Sequence, residues 1–199
     1  ARVAVLGSTG FAPAAADDDP LIPMIRRVDR YLQHHEVDGV VMDWRVIINA
    51  SEAARLSVVP QLLAYTELYR VRPSRRILRD IRDRADYLLA NYDQLYSASV
   101  FNGMLGYALF EAYEATGDPR YEEKALAVIA QLEAISHGEY VLNGGLMAAM
   151  AFAKHHALTG DPESLDLAGV VINSLPPYQH ADGCFPHWCF GSKDVHYTD

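Results

Sequence analysis

Two stretches of the chain decide its fold class: residues 102–119 (NGMLGYALFEAYEATGDP) and residues 143–162 (NGGLMAAMAFAKHHALTGDP). They repeat each other, because the Asn-Gly start recurs after 41 residues and the Thr-Gly-Asp-Pro end recurs after 43. Each stretch has helical periodicity between its start and its end. A repeat of roughly 40 residues indicates a protein built from stacked helical hairpins.

The Thr-Gly-Asp-Pro motif contains the residues that end one helix and begin the next. Gly117 and Gly160 can adopt the left-handed backbone that follows a helix C-terminus. Asp118 and Asp161 can cap the next helix, and the proline after each suits its first turn. Small residues after each Asn-Gly would let neighbouring helices approach closely; they are Gly106, Ala108, Ala148 and Ala149. The motif therefore predicts the turn of an α-hairpin in each repeat.

Helical periodicity extends over most of the chain. It predicts helices over residues 21–36, 46–70, 74–96, 100–115, 120–135, 141–158 and 162–175. Pro60 should kink or interrupt the second of these. No window alternates with a period of two for long enough to predict a strand. The predicted fold class is all-α, and the hairpins must stack because a single hairpin cannot bury its apolar face.

The repeat length and the Thr-Gly-Asp-Pro turn resemble those of the α/α toroids, in which six or seven hairpins close into a ring. The resemblance covers residues 46–175. It implies an α/α-toroid domain over residues 20–199, with about four hairpins present. Since a ring of six needs about 240 residues at this repeat length, we expect a toroid truncated at its C-terminus. Toroids act on glycans, cyclise peptides or prenylate proteins, so this resemblance does not by itself predict an activity.

Composition and charge exclude several functional classes. The chain has 199 residues, half of them apolar, and a net charge of −9. This charge argues against a nucleic-acid partner, since nucleic-acid binders usually present a basic face. The basic run over residues 70–84 lies on a predicted helix among acids, so we interpret it as a solvated face. Charge balance gives no sign of a nucleotide or flavin cofactor, and no apolar run is long enough to span a membrane.

Residues 1–19 differ from the rest of the chain. An apolar stretch is followed by small residues in an A-x-A pattern, Ala14 and Ala16, and then by an acidic start at Asp17. This order predicts the tail of a secretory signal peptide with a disordered N-terminus, and hence a periplasmic or secreted protein. Residues 1–11 also resemble a glycine-rich nucleotide turn, but Pro13 and Pro20 follow where its helix should begin.

The last residues, 178–199 (YQHADGCFPHWCFGSKDVHYTD), hold three of the eight histidines, both cysteines and one of the two tryptophans. They follow a predicted helix end, which in a toroid places them on a loop at one mouth of the ring, where site residues tend to lie. His187 and His196 can act as general acids or bases near neutral pH. Tyr197 can be a second proton donor, and Asp182 or Asp194 can orient a histidine or transfer the proton.

Further residues of this segment are candidates for substrate binding. Trp188 and Phe190 can form a stacking wall for a sugar ring. Our predicted substrate-binding residues are Trp188, Asp182, Phe190, Asn143 and Lys193. The alternative is structural: the aromatic and cysteine side chains fill the core, and the polar ones cap helices.

Cys184 and Cys189 leave three states open, namely a disulfide, a reduced pair or metal ligands. Together with His187 and His196 they form the spacing C-x2-H-x-C-x6-H. This spacing matches no common zinc pattern, and a single residue between two ligands makes tetrahedral coordination awkward. We therefore predict no metal site.

A closer resemblance combines several short motifs. The motifs are Tyr96-Ser97-Ala98 with the later Ala112-Tyr113, the stretch YVLNG over residues 140–144, and the closing DVHY over residues 194–197. Together they resemble the catalytic domain of glucuronyl C5-epimerases. The resemblance implies a toroid enzyme that acts on uronic-acid polymers. It also implies proton transfer by Glu139, Tyr140, His196 and Tyr197.

The chemistry of such an enzyme begins with removal of the proton next to the uronate carboxylate, whose charge must first be neutralised. An acid then returns a proton to the opposite face, whereas a lyase expels the 4-linked sugar. A hydrolase would instead need two carboxylates across the bond, for which Asp182, Asp194 and Glu139 are available. The sequence does not separate these reactions.

Two alternatives come from other classes. Residues 188–191 (WCFG) resemble the Trp-Cys-x-Gly ligand motif of the lanthionine cyclases, which implies a zinc-containing toroid that cyclises peptides. A non-catalytic helical scaffold in envelope glycan assembly would use the same acidic and aromatic surfaces for binding. We favour an exported carbohydrate-active enzyme without a cofactor, acting as an epimerase, lyase or hydrolase. The sequence leaves its oligomeric state open.

Overall fold

The computed structural model of the chain describes residues 58–91, 102–134 and 142–181 with Gly183, and eight positions before residue 58. The three ranges contain six α-helices: α1 (Val59–Val71), α2 (Arg75–Asn91), α3 (Asn102–Thr116), α4 (Pro119–Glu133), α5 (Leu142–Thr159) and α6 (Pro162–Asn173). A short 3-10 helix, Pro176–Tyr178, follows α6.

Before residue 58, four described positions are helical: Pro23, Arg27, Arg30 and Tyr31. Two-residue strands β1 (Glu36–Val37) and β2 (Val40–Val41) pair antiparallel, with Glu36 opposite Val41. The described part of the chain is otherwise helical, which confirms the predicted all-α class. No helix in this part is both long and apolar enough to cross a membrane.

The helices form three hairpins, α1–α2, α3–α4 and α5–α6, that stack side by side. Helices α1, α3 and α5 form one layer, in which α3 packs between the other two, while α2, α4 and α6 pack against this layer. Helices α3 and α5 run parallel, because Gly103 lies against Met147 near their starts and Glu114 pairs with Lys154 near their ends. The predicted stack of hairpins is therefore present.

Close packing of α3 explains the small residues of the repeat. A Cβ added at Gly103 would meet the backbone nitrogen of Ala148 at 2.5 Å, and the Met147 carbonyl group more closely still. At Gly106 it would meet a Val128 methyl group at 2.9 Å. Ala108 and Ala148 are fully buried. The small residues let the backbones approach as the sequence predicted.

Both Thr-Gly-Asp-Pro turns have the predicted conformation. Gly117 has a φ of 70° and Gly160 a φ of 75°, the left-handed region that glycine adopts without a Cβ clash. Asp118 caps α4 by accepting from the Arg120 backbone N–H, and Asp161 caps α6 by accepting from the N–H groups of residues 163 and 164. The turns therefore set the hairpin geometry locally.

The two threonines of these turns add a feature that the sequence analysis missed. Thr116 donates its hydroxyl to the Ala112 carbonyl at 2.7 Å and accepts from the Asp118 N–H at 3.2 Å. Thr159 likewise donates its hydroxyl to the carbonyl of residue 155 at 2.8 Å and accepts a hydrogen bond from the backbone N–H of residue 161 at 3.2 Å. Each threonine thus ties the end of one helix to the cap of the next.

Pro60 lies in the first turn of α1, where a proline removes no helical hydrogen bond, and residues 46–57 of the longer predicted helix lie outside the described residues. One expectation needs correction. The basic run over residues 70–84 is not simply a solvated face, because Arg84 is completely buried in the α1–α2 hairpin. Its guanidinium lies 4.2 Å from the centre of the Tyr65 ring and donates to Gln61 at 3.2 Å.

Candidate functional site

The residues predicted to carry the chemistry lie outside the described part of the chain. This applies to the catalytic candidates His187, His196, Tyr197, Asp194, Glu139 and Tyr140, and to the binding candidates Trp188, Asp182, Phe190 and Lys193. The backbone of Asn143 is the second residue of α5, but its side chain is also outside the described set. These assignments remain predictions.

The described helices nevertheless decide at which end of the hairpin stack those segments attach. Helices α3 and α5 run parallel, so residues 92–101 and 135–141 join the stack at the same end. Helix α6 is antiparallel to α5 and therefore finishes toward that end as well, before residues 182–199. All three candidate segments connect to one end of the stack, which we call the entry end.

At the entry end, the side chain of Asn102, the first residue of α3, contacts the neighbouring helix α4. Asn102 is buried and donates its side-chain amide to Gln131 of α4 at 3.4 Å. This contact ties the two helices of the hairpin together. Asn143 has the same place in the Asn-Gly start of the next repeat, but the hairpin turns are 43 residues apart and align Asn102 with Gly145 instead, so this contact is not transferred to Asn143.

At the opposite end of the stack, charged side chains join the three parallel helices. Glu111 of α3 is only 2% exposed and pairs with Arg70 of α1 and with Lys154 of α5, the latter at 2.6 Å. Glu114 pairs with Lys154 and lies 3.6 Å from Arg70. We call Arg70, Glu111, Glu114 and Lys154 the ionic cluster; one buried carboxylate is thus shared by cations from both neighbouring hairpins.

The electrostatics of the ionic cluster argue for a structural role. Burial opposes the charge of Lys154, but hydrogen bonds to Glu111 and Glu114 outweigh this effect, so the pKa of Lys154 is raised. An amine with a raised pKa stays protonated at neutral pH and is a poor base or nucleophile. Burial, helped by the Glu111 charge, also raises the pKa of the nearby Tyr107 phenol. Neither group is poised for proton transfer near neutral pH.

A histidine, a serine and an aspartate meet at the second hairpin turn. The Nδ1 atom of His155 lies 2.7 Å from the Ser164 hydroxyl and 3.7 Å from an Asp161 carboxylate oxygen. A nucleophilic triad needs the serine and the carboxylate on different ring nitrogens, whereas here both approach the same one. Ser164 is fully buried, and the His155 ring stacks on Phe110. This trio therefore holds the turn in place.

A tyrosine joins the outer helices of the first two hairpins. Tyr121 of α4 is buried and donates its hydroxyl to Asp86 of α2 at 3.0 Å. Burial, followed by this hydrogen bond, raises the pKa of the Tyr121 phenol. Arg120 lies 3.0 Å from the same carboxylate and also pairs with Asp118. The contact links α2 to α4 and leaves the phenol protonated, so it too is structural.

Comparison with known proteins adds no assignment to this geometry. No family model, curated protein or solved structure matches the chain. Within residues 58–91, 102–134 and 142–181, no group of three or more His, Cys, Asp or Glu side chains could hold a metal ion. The described clusters join helices of the stack, and the predicted site residues belong to segments that attach at the entry end.

Proposed function

We propose that the chain is an exported carbohydrate-active enzyme of the α/α-toroid type, with its active site at the entry end of the hairpin stack. One observation carries the proposal: the two segments that hold nearly all of the predicted site residues, 135–141 and 182–199, both attach to that end. Catalytic residues tend to lie on loops that a rigid scaffold positions. The parallel layer of α1, α3 and α5, joined by the ionic cluster at its far end, is such a scaffold.

The proposed substrate is a uronic-acid-containing polysaccharide or oligosaccharide. Glu139 and Tyr140 precede α5 directly, while His196 and Tyr197 belong to the segment after α6, so acid and base come from two different connections. A base and an acid on opposite faces of a sugar ring are what inversion at the carbon next to the carboxylate requires. The outcome then depends on whether the second step returns a proton or expels the 4-linked sugar.

The test is a panel of uronic-acid and neutral glycans incubated with the full chain in D₂O. Deuterium at C5 without chain cleavage identifies an epimerase, an unsaturated sugar absorbing in the ultraviolet identifies a lyase, and new saturated reducing ends identify a hydrolase. We expect one of these products from a uronate polymer. No product from any glycan in the panel, with the protein folded by circular dichroism, refutes the proposal.

Matched variants locate the activity. Glu139→Gln and His196→Ala should each lower kcat by about 100-fold or more, the range expected for loss of an acid or base. Glu123→Gln is the control, because Glu123 is an exposed residue of α4 in the described scaffold. Equal activity in all three variants would remove the entry end as the catalytic region.

A further inference from the structure

The outer face of α2 presents arginines that no described side chain neutralises. Arg75, Arg79 and Arg82 are exposed, and their spacing of four and three residues places them on one face of the helix. We call these three residues the arginine stripe. Arg72, in the turn just before α2, is exposed as well. Among the described residues, none forms an ion pair with any of the four, although the chain as a whole has a net charge of −9.

The acidic residues of α2 do not cancel this charge. Asp80 pairs with Arg76 at 2.8 Å, and Asp86 pairs with Arg120 at 3.0 Å. The third acid of the helix, Asp83, is exposed and has no ion pair within the described part of the chain. One carboxylate therefore stands against the three arginines of the stripe, and this face keeps a positive charge.

The arginines also oppose the local preferences of a helix start. The N-terminus of a helix carries a partial positive charge, which favours acidic residues in the first turn. Helices α4 and α6 follow this rule, with Glu122 and Glu163 in their first turns. Helix α2 has no acid in its first turn and begins with Arg75 and Arg76 instead. Positive charge is thus concentrated at the start of α2 at a cost in helix stability, and such local conflicts are expected at functional sites.

Neither the hairpin repeat nor the core requires the stripe. Ser74 and Asp118, which cap α2 and α4, are 44 positions apart. By this offset the counterparts of the stripe on α4 are Pro119, Glu123 and Leu126, none of them basic. The core uses the opposite face of α2, where the apolar side chains of the helix are buried. The stripe is therefore available to a ligand.

The chemistry of the stripe fits carboxylates that are repeated along a polymer. A guanidinium group binds a carboxylate through two parallel hydrogen bonds, which lysine cannot match. A single exposed ion pair contributes little to binding, so the stripe would not hold one small anion firmly. A polymer with carboxylates on successive sugars engages several arginines at once. At a rise of about 1.5 Å per residue, the stripe extends about 10 Å along the helix from Arg75 to Arg82.

Other polyanions fit this surface less well. A helix binds an anionic lipid surface by burying its apolar face in the lipid, whereas the apolar face of α2 is buried in the first hairpin. A single-stranded nucleic acid stacks its bases on aromatic side chains, and none of the exposed positions of α2 is aromatic. An acidic polysaccharide needs neither feature.

The stripe lies on a helix that leads to the entry end. Helix α2 begins at the turn of the first hairpin and finishes at Asn91, at the entry end of the stack. Arg82 lies nine residues before Asn91, which is about 13 Å at a rise of about 1.5 Å per residue. A polymer that follows α2 from the stripe therefore reaches the entry end over this short distance.

We propose that the arginine stripe is an auxiliary binding site for an acidic polysaccharide, held there by its carboxylates while another part of the same polymer occupies the entry end. The choice of a polysaccharide rests on the proposed function, whereas the requirement for carboxylates rests on the arginines themselves. The stripe takes no part in the reaction. It raises the local concentration of the polymer at the entry end by a second point of attachment.

Binding of polyglucuronate to the full-length Glu139→Gln variant tests this site without turnover. Isothermal titration calorimetry at low salt should show binding to polyglucuronate, and none to the same polymer after its carboxyl groups have been reduced to alcohols. Replacing the whole stripe, by Arg75→Gln, Arg79→Gln and Arg82→Gln together, should raise Kd at least about tenfold. Circular dichroism verifies that each variant is folded.

A matched control separates the stripe from the overall charge of the protein. Arg27→Gln, Arg30→Gln and Lys124→Gln together also remove three positive charges, but from residues outside the stripe. This variant should change Kd by less than about twofold. Asp83→Asn should lower Kd by about twofold, because it removes the one unpaired carboxylate beside the arginines; a merely structural effect would not tighten binding.

Several outcomes would overturn the proposal. They are the absence of polyglucuronate binding, a Kd that the stripe variant leaves unchanged, an equal rise in the control variant, and equal binding of the carboxyl-reduced polymer. Stripe-dependent binding to vesicles of anionic lipid without binding to polyglucuronate would assign the stripe to a membrane surface instead. Because the assay measures binding and needs no product, failure of the proposed reaction and failure of the auxiliary site are separate results.

Discussion

Replacing Gly103 with alanine should destabilise the protein, although alanine is the better helix former. The new Cβ would lie 2.5 Å from the Ala148 backbone nitrogen, about 1 Å inside the ordinary contact range of 3.4–4 Å. Backbone atoms of a packed helix cannot rotate away as a side chain can, so α3 and α5 must separate. Overpacking of this kind costs about 1–3 kcal/mol, and the upper end applies here.

The helix propensity of alanine offsets at most about 1 kcal/mol of that cost. We therefore expect Gly103→Ala to lower the free energy of unfolding by about 2 kcal/mol. For a chain of this size, that loss corresponds to a fall in Tm of roughly 4–8 °C. The effect on stability arises entirely from the contact between the second and third hairpins.

Urea unfolding followed by circular dichroism measures this change. Gly169→Ala is the matched control, because its new Cβ meets only the Asn173 amide at 3.8 Å. It should raise the free energy of unfolding by up to about 1 kcal/mol through helix propensity. If Gly103→Ala stabilises the chain as Gly169→Ala does, then α3 does not pack on α5 through Gly103, and the proposed stacking geometry is refuted.

Two further predictions concern buried polar groups. Glu111→Gln should lower the free energy of unfolding by about 1–2 kcal/mol in urea titrations. This loss is smaller than that for a fully buried ion pair, because Arg70 is partly exposed. The control Glu67→Gln, at an exposed site, should change the free energy of unfolding by less than about 0.5 kcal/mol, and equal effects of the two variants would contradict the structural role of the ionic cluster. In a spectrophotometric pH titration Tyr121 should ionise at a higher pH than exposed tyrosines, because its folded-state pKa is raised. Its stabilising contribution is present below about pH 10, the ordinary phenol pKa, and is lost as the pH rises through the folded-state pKa. Tyr121→Phe should remove one late-titrating phenol, and an unchanged titration curve would show that Tyr121 is not buried.

Local chemistry made the hairpin turns predictable. Glycine takes the left-handed backbone, aspartate caps the following helix and proline begins it, and all three effects act within four residues. The structure confirms each of them at residues 116–119 and 159–162. Where both are described, the predicted helix boundaries lie within two residues of the observed ones, as for the helices that begin at Arg75, Asn102, Pro119, Leu142 and Pro162.

The register between repeats was only partly predictable. The Asn-Gly starts are 41 residues apart and the turns are 43 apart, so the sequence alone supports either alignment. Helix α5 has 18 residues and α3 has 15, and burial along the two follows the 43-residue alignment. The turn sets the packing register because its caps hold both helices of a hairpin, while the extra residues of α5 fall at its start.

The sequence by itself determined the all-α class, the hairpin repeat and the turns, because these depend on periodicity and on contacts between near neighbours. Only the tertiary structure decided that Arg84 is buried against Tyr65, and that Glu111 is shared by Arg70 and Lys154. An arginine or glutamate on a buried helix face has the same local sequence as one in solvent. Its environment depends on residues that are up to 43 positions away in the chain and come together only when the hairpins stack.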